Sequence, residues 1–569
     1  MTKILAVAIN SKFVHTNPAL RYIKKYIEHN SDIEITLKEY TINNHINDII
    51  KNIFRESPTT IMFSVYIWNR EYVLKIVQEI KKVLDVKIIF GGPEIFYDAE
   101  NVMLENPQVD YICYGEGEQT LLNFLSADDT IPAGLYYRDN GIMFSGYNEN
   151  IVELDSIPFP YEISELHEKS KIYYYESSRG CPFCCSYCMS SIDKTVRFYS
   201  LERVKEDLKT FLDNKVKLVK FIDRTYNLKK DRYMEIWKFL VENSNGVTCF
   251  HFEISADLFD DETIEFLNTV PAGLFQFEIG VQSSNQQTLE AVNRQTDLNK
   301  LYNNVTRISK GIHLHLDLIA GLPYEDYATF EKSFNFVYSM KPEMIQLGFL
   351  KLLKGSPIIE DIEKHDYKYL NFPPYEVQSN KYISFAEILM LKDIEKSLDY
   401  YYNSQIFVKS IEYIIQKYYE NNAFKMFENV SISFNSRGFL DISHKTINLF
   451  RYLNEFIISQ FGEDKLFLAN LKLDYLMQGK PGSFPDWFEH EFDNDYYNKL
   501  LRSKVANGEF ENLKQAYKQT EIATFSYDIN TWEEFPKVYL FLYGRVDTTI
   551  EEILATDLHR AVEPQPKEF

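Results

Sequence analysis

Ser177-Ser178-Arg179-Gly180-Cys181-Pro182-Phe183-Cys184-Cys185-Ser186-Tyr187-Cys188 is the stretch on which the reading of this chain turns. Cys181, Cys185 and Cys188 stand in Cys-x3-Cys-x2-Cys spacing on a segment short enough to be one loop. Three thiolates on one loop can take three irons of a 4Fe–4S cluster and leave the fourth iron open to an outside ligand, which a closed four-cysteine site does not allow. Half of a zinc site is the simpler alternative, but structural zinc takes a fourth ligand, usually as paired Cys-x2-Cys. Disulfides are a second alternative, and nothing in the chain reads as secreted. Cys184 sits inside the loop as a bystander thiol.

Composition frames this loop. The chain has 569 residues, which is length for three to four domains with their own cores. A net charge of −22 disfavours a general nucleic-acid surface, because it repels phosphate. Four of the six cysteines lie in the loop, with Cys113 and Cys249 apart from it, so no disulfide framework is expected and a reducing cytoplasm fits. With no cysteine after Cys249, a second cysteine-bound cluster in the C-terminal half is excluded. The first apolar run, Ile4–Ile9, is too short for a signal-peptide core or a membrane span and is expected to form a buried strand.

Upstream of the loop, residues 1–126 alternate short apolar runs with helical patterns. Strands are expected at Ile4–Ile9, Ile35–Tyr40, Thr60–Tyr66, Val86–Phe90 and Asp110–Tyr114, with helices between them such as Tyr72–Leu84. Asn17 followed by Pro18 has the form of a helix N-cap and first helical residue. Such alternation implies an α/β, doubly wound parallel sheet, which binds ligands beyond the C-terminal ends of its strands. The distinctive residues fall there: Ser64, Tyr66 and Trp68 after the third strand, Gly91-Gly92-Pro93-Glu94 after the fourth, and Gly115-Glu116-Gly117-Glu118 after the fifth. None of these loops is a Rossmann fingerprint or a Walker loop, and Gly-Gly-Pro-Glu alone is equally a tight turn. Residues 127–165 read as a connector, with a strand pair at Ala133–Arg138 and Met143–Ser145 and an extended Ile157-Pro158-Phe159-Pro160-Tyr161.

Downstream, residues 166–357 repeat strand–helix units. The expected strands are Tyr173–Glu176, Leu218–Ile222, Phe250–Ile254, Phe275–Val281, Ile312–Leu318 and Met344–Phe349, with a first helix at Leu201–Leu212. Polar residues gather where these strands end: Asp223, Arg224 and Thr225, then Glu253 and Ser255, then Asp317, then Gln346, Lys351 and Lys354. Glu278 lies inside an apolar strand, a costly position without a partner. His251, His313 and His315 are either proton donors or satisfied core histidines. Residues 358–569 turn to helical periods, as in Ile383–Leu398 and Phe407–Asn421, with one short strand at Val430–Phe434 and no catalytic motif.

The cysteine spacing, with Gly180 before the first cysteine and Tyr187 before the last, resembles that of the radical S-adenosylmethionine (SAM) enzymes. The three loops of residues 1–126 resemble the cobalamin-binding domain that precedes the radical SAM domain in a large subgroup, the class B type. The proline-bearing bridge and the uncharacterised C-terminal domain also have counterparts there. The resemblance covers residues 1–357. It implies a cobalamin-binding Rossmann-like domain at 1–126, a connector at 127–165, a partial (β/α)6 barrel at 166–357 and a mostly helical domain at 358–569. The implied cofactors are a 4Fe–4S cluster held by Cys181, Cys185 and Cys188, SAM, and cobalamin. SAM would meet Tyr187, Asp223, Glu253, Glu278, Gln282, Arg294 and Asp317, with Arg294 toward its carboxylate. Cobalamin would meet Ser64, Tyr66, Trp68, Gly91, Gly92, Pro93, Glu94, Gly115, Glu116, Gly117 and Glu118. One departure stands out: the Asp-x-His-x2-Gly motif that supplies a cobalt-ligating histidine is absent, and His15 has the wrong neighbours. The lower cobalt face is therefore expected to lack a histidine, with Tyr66 or Trp68 as aromatic covers.

The activity implied is reductive cleavage of SAM to a 5′-deoxyadenosyl radical, hydrogen abstraction, and methyl transfer from methylcobalamin to an unactivated carbon. The substrate would be a small molecule or peptide, the electron donor a flavodoxin- or ferredoxin-like protein, and no membrane is involved. Other readings stay open at this point. They are radical cyclisation or rearrangement without methyl transfer, and a non-catalytic cobalamin or iron–sulfur sensor. Methylthio transfer to tRNA needs a further N-terminal cysteine triplet, and residues 1–150 contain only Cys113.

Overall fold

The computed structural model describes residues 3–127, 130–488, 494–544 and 547–553. They form two compact units, Met1–Ile388 and Leu389–Phe569.

The first unit contains two parallel sheets. In the N-terminal one, β1 (Ile4–Asn10), β2 (Ile35–Thr41), β3 (Thr60–Ser64), β4 (Lys87–Gly91) and β5 (Tyr111–Cys113) run parallel. Two antiparallel strands, β6 (Leu135–Arg138) and β7 (Ile142–Phe144), complete the order β2-β1-β3-β4-β5-β6-β7. The expected strand pair of the connector is thus not separate; β6 pairs with β5, and Arg138 donates to the carbonyls of Met103, Asn106 and Val109. All seven residues of β1 are buried. Leu5, Val7 and Ile9 pack on one face with Ile49, Ile53, Val73 and Ile76, while Ile4, Ala6 and Ala8 pack on the other with Leu20, Ile27 and Leu121. Covered faces on both sides are why the run is continuously apolar. Asn17 caps the helix Pro18–Asn30, accepting the Leu20 amide at 3.0 Å.

The second sheet follows the cysteine loop. β8 (Ile172–Tyr175) leads into a small antiparallel clip, β9 (Ser178–Arg179) with β10 (Arg197–Phe198). Then come β11 (Leu218–Phe221), β12 (Cys249–Ile254), β13 (Phe275–Gln282), β14 (His313–Ala320) and β15 (Met344–Phe349). β8 and β11–β15 lie side by side in chain order, all parallel, as the six strands of a partial (β/α)6 barrel. β13 and β14 alternate buried and half-buried residues along their length. The buried set, Phe275 and Phe277 among them, packs on Trp237 of the helix Lys230–Glu242, which leaves Glu278, Gly280 and Gln282 to the lumen. The free edge of β8 is covered by the N-terminal domain. The Val14 carbonyl accepts the Ile172 amide at 2.7 Å, His15 bridges Ile172 in parallel, and the Thr16 hydroxyl donates to the Ile172 carbonyl at 3.0 Å.

Residues 358–388, grouped from sequence with the C-terminal region, belong to the first unit. There β16 (Lys368–Tyr369) pairs with β17 (Val377–Ser379), and Ile358, Tyr367 and Val377 share a core with Leu322 and Leu350. The second unit is mainly helical: Val408–Tyr418, Ala423–Asn435, Thr446–Phe461, Lys465–Met477, Asn494–Ala506 and Leu513–Gln519. The strand expected at Val430–Phe434 lies inside the second of these helices. Phe427, Val430, Ser431 and Phe434 are buried at spacings of one, three and four, a helical stripe that local alternation concealed. An antiparallel sheet, β18 (Thr520–Phe525), β19 (Lys537–Tyr543) and β20 (Thr548–Glu552), was not anticipated. Residues 554–569 of the expected C-terminal domain lie outside the described residues. Among the described residues no helix is long and apolar enough to cross a membrane.

Candidate active site

The cysteine loop is pinned before it begins. Asp223, buried just past β11, accepts the Ser177 amide at 2.8 Å and the Ser177 and Ser178 hydroxyls at 2.7 and 2.5 Å. Gly180 turns the chain at φ +94°, where a Cβ would run into the Thr195 carbonyl. The Cys181 amide then donates to the Asp193 carbonyl at 2.9 Å, and the Ser186 amide to the Val292 carbonyl at 2.9 Å. Cys181 and Cys185 are buried, Cys188 is half-buried and Cys184 is exposed. Burial pushes the Cys181 thiol up, partly offset by hydrogen bonds from the Phe183 amide and Thr225. Among the described residues, no three His, Cys, Asp or Glu side chains close on one ion.

The three cysteines open into one cavity with Tyr187, Arg224, Thr225, Glu253, Glu278, Gln282, Arg294 and Asp317. The Arg294 guanidinium stands 3.9 Å from Cys185 Sγ and 3.3 Å from the Tyr187 hydroxyl, and also donates to the Gly280 carbonyl. Arg294 Nε and Gln282 Oε1 are buried without a hydrogen-bond partner. Orphaned polar atoms around a cavity are what a polar ligand would satisfy. The carboxyls divide in two. Burial opposes ionisation of Glu278, but the His251 hydrogen bond at 3.0 Å and Lys220 at 2.9 Å outweigh it and hold the group at about 2. Glu253 and Asp317 are raised, by burial and then by the Glu278 charge. His315, 3.3 Å from Asp317, is lowered by burial to about 4 and stays neutral.

A second cavity lies beyond β3, β4 and β5. Ser64, Tyr66, Gly91, Gly92, Pro93, Gly115, Glu116, Gly117 and Glu118 line it, over a floor that includes Leu20, Met62, Ile89 and Leu121. Gly92 has φ +110°, and a Cβ there would strike the Val65 carbonyl, so only glycine lets the wall come this close. Gly117 opens the helix Gly117–Ser126, whose first amides have no helical partner. The barrel side of the wall is Glu176, Arg179 and Ile222.

Three of the expected contacts differ. Asp223 does not line the first cavity, because its carboxylate is taken up by Ser177 and Ser178. Glu94 points away from the second, accepting the Tyr375 hydroxyl and facing Arg70 at 3.7 Å. Trp68 stacks on Tyr66 with centroids 4.5 Å apart, donates to the Ile9 carbonyl and is 43% exposed, outside the cavity wall. Ser64 is already a partner of Asn17 at 2.7 Å. His15 hydrogen-bonds Tyr174 at the barrel edge, and Lys354 pairs with Asp98 of the N-terminal domain. Sequence reasoning missed Arg179, a cation two residues before the first cysteine and the one signal of a charged loop base.

The two cavities share a wall. Arg179 and Ile222 line the second, Cys181 and Arg224 the first, and residues two apart are at most ~7 Å apart along the chain. Tyr66, pushed by burial to about 12 against the opposing Arg224 charge, spans the same boundary.

Three family profiles match the chain: B12 binding domain over residues 4–125, Radical SAM superfamily over 175–337, and Protein of unknown function (DUF4080) over 363–541. The chain is a cobalamin-type radical SAM enzyme. Its domains bring a 4Fe–4S cluster, SAM and cobalamin as cofactors. An uncharacterized methyltransferase of Pyrococcus horikoshii is 24% identical over 66% of the enzyme and 83% of that relative. The anaerobic magnesium-protoporphyrin IX monomethyl ester cyclase of Rubrivivax gelatinosus is 23% identical over 57% of the enzyme and 64% of that relative. Among solved structures, the cobalamin-dependent SAM radical enzyme OxsB with aqua-cobalamin bound superposes with a TM-score of 0.59 at 15% identity, over 83% of the enzyme and 80% of that chain.

Proposed function

We propose that Cys181, Cys185 and Cys188 hold the cluster, that SAM fills the rest of the first cavity, that cobalamin occupies the second, and that the enzyme methylates an unactivated carbon. The observation that carries this is how near the two cavities lie, with Arg179 and Ile222 lining one and Cys181 and Arg224, two residues on, lining the other. When bound, the cluster with SAM supplies a radical that takes a hydrogen atom, and cobalamin supplies the methyl group.

The residues divide the work of holding. Arg294, unpaired at Nε, offers a charge-assisted bond to a carboxylate beside Cys185. Gln282 Oε1 accepts, and the carboxyls of Glu253 and Asp317, both raised by burial, line the same lumen, so it presents polar partners to hydroxyl and amine groups. Glu278 is a positioning residue, its charge spent on His251 and Lys220. Gly92 and the amides at Gly117 let a large, flat, amide-bearing ring lie against main chain. Tyr66 is the aromatic that faces it, and Trp68 backs Tyr66 by stacking.

The test is anaerobic turnover of cell extract with SAM carrying a deuterated methyl group. Methyl transfer is expected to form 5′-deoxyadenosine and S-adenosylhomocysteine together and to move the label into a product. Deoxyadenosine with an unlabelled, rearranged product would replace this reading by radical cyclisation, the alternative that the cyclase similarity favours.

A further inference from the structure

The wall between the cavities is built from charge. Arg179 is almost enclosed, with Nη2 2.6 Å from both Glu118 Oε1 and Glu176 Oε1 and Nη1 3.4 Å from Glu116 Oε2. Its Nε donates to Glu176 at 2.9 Å, and Tyr199 adds a hydroxyl to the same carboxylate at 3.2 Å. Glu116 is shared with Arg197, at 2.5 and 3.1 Å, and Arg197 also reaches Asp193 at 3.2 Å. Glu116 and Glu118 belong to the loop and helix start that wall the cobalamin cavity, whereas Arg179 and Arg197 are the two strands of the clip at the base of the cysteine loop.

The clip has little slack. Arg179 is followed by Gly180, packed against the Thr195 carbonyl, and then by Cys181, whose amide is fixed on the Asp193 carbonyl. Asp193 therefore receives Cys181 through its main chain and Arg197 through its side chain. A shift of the Glu116–Glu118 segment has to pull on both arginines, because leaving a buried guanidinium unpaired is costly. That pull arrives at Cys181 two residues later.

We infer that Arg179 and Arg197, clasped by Glu116 and Glu118, are positioning residues that couple occupancy of the cobalamin cavity to closure of the cluster-binding loop. The coupling rests on the cofactor placement proposed above. It is reciprocal: cobalamin orders the loop, and a loaded cluster tightens cobalamin by the same factor, about tenfold.

The test uses the full chain freed of iron under anaerobic conditions, with hydroxocobalamin as probe. Alkylation of Cys181, Cys185 and Cys188 is followed by peptide mass spectrometry, with exposed Cys184 as internal reference. In the wild type, saturating cobalamin is expected to slow labelling of the three cysteines about tenfold relative to Cys184. In Glu118→Gln and in Arg179→Lys, which keeps the charge and loses the fork, cobalamin at saturation gives no such protection, with thermal melts confirming folded protein. Tyr375→Phe removes different bonds between the N-terminal domain and the chain beyond the barrel, those with Glu94 and Arg70, and keeps the protection. Protection equal to wild type in Glu118→Gln overturns the clasp. Loss of protection in Tyr375→Phe also overturns it, in favour of general domain docking. Cobalamin bound to the wild type without any protection overturns the coupling alone, whereas no uptake at all overturns the cofactor placement and the coupling with it.

Discussion

The two parallel sheets of the first unit treat polar side chains in opposite ways. β1 is buried at every position, and the cavity beyond its neighbours is shaped by glycines and by the start of a helix. β11–β14 send Lys220, His251, Glu253, Glu278, His315 and Asp317 to one side, and the cavity there is shaped by charged side chains. A sheet sandwiched by helices has no interior wide enough for ions, whereas an open barrel has a lumen that conventional barrels fill with branched aliphatics. The comparison teaches where each site is vulnerable. Apart from the Arg179 clasp, the N-terminal cavity depends on what the main chain is allowed to approach, and the barrel cavity on which charges are compensated.

The cysteines test the extreme of side-chain dependence. Replacing Cys181, Cys185 or Cys188 by alanine is expected to reduce bound iron from about four per chain to background and to abolish SAM cleavage, by iron assay and chromatography of deoxyadenosine. Next is Glu325, buried beside the barrel with the Ser283 and Ser333 hydroxyls on its carboxyl. Burial raises it from 4.5 to about 7 despite those hydrogen bonds. The folded chain therefore holds a proton that the unfolded chain has lost, and stability falls as pH rises from about 4.5 to about 7. Glu325→Gln removes that dependence, so urea midpoints at low and neutral pH should diverge from wild type by about 3 kcal/mol across the window, in favour of glutamine at the higher pH. No divergence would mean that the charge is already compensated.

On the other side of the comparison, Gly92→Ala forces a side chain onto the Val65 carbonyl at positive φ. It is expected to cost about 2–3 kcal/mol in a melt and to lower cobalamin uptake while leaving iron content intact. Glu278→Gln strands Lys220 and should cost about 2 kcal/mol. Because Glu278 sits at about 2 in the folded chain, its contribution is present above about pH 4.5 and is lost in wild type as pH falls toward 2. Cys184→Ser is the smallest change, with iron content and SAM cleavage at wild-type levels. A drop there would mean that the exposed thiol takes part.

The same contrast explains what could be read from the residues. The strands of both sheets were legible because period and length separate them from helices, and Met344–Phe349 falls on its expected bounds. The cysteine loop was legible because its spacing is chemistry. Asp223, Glu94 and Trp68 were not, since each stands beside a cavity and spends its polar atoms on a partner distant in sequence: Ser177, Tyr375 and Ile9. Arg179 was overlooked for a related reason: beside the neighbouring Glu176, its partner Glu118 lies 61 residues upstream in the Gly-Glu-Gly-Glu loop. In the second unit, β18–β20 pair across turns with little alternation to announce them, and burial on helix Ala423–Asn435 overrode the strand-like Val430-Ser431-Ile432-Ser433-Phe434.

The pairing of Val14–Thr16 with Ile172 has a consequence for how this chain can be divided. A barrel cut out at residue 166 would present the bare edge of β8 to solvent, an invitation to pair with the next molecule. Transplanting the barrel under a foreign N-terminal domain would carry the same defect unless the donor brought its own covering segment. A truncation series should therefore keep the barrel soluble better when residues 13–16 and Tyr161, which hold Ile172 and Tyr174 of this edge, travel with it.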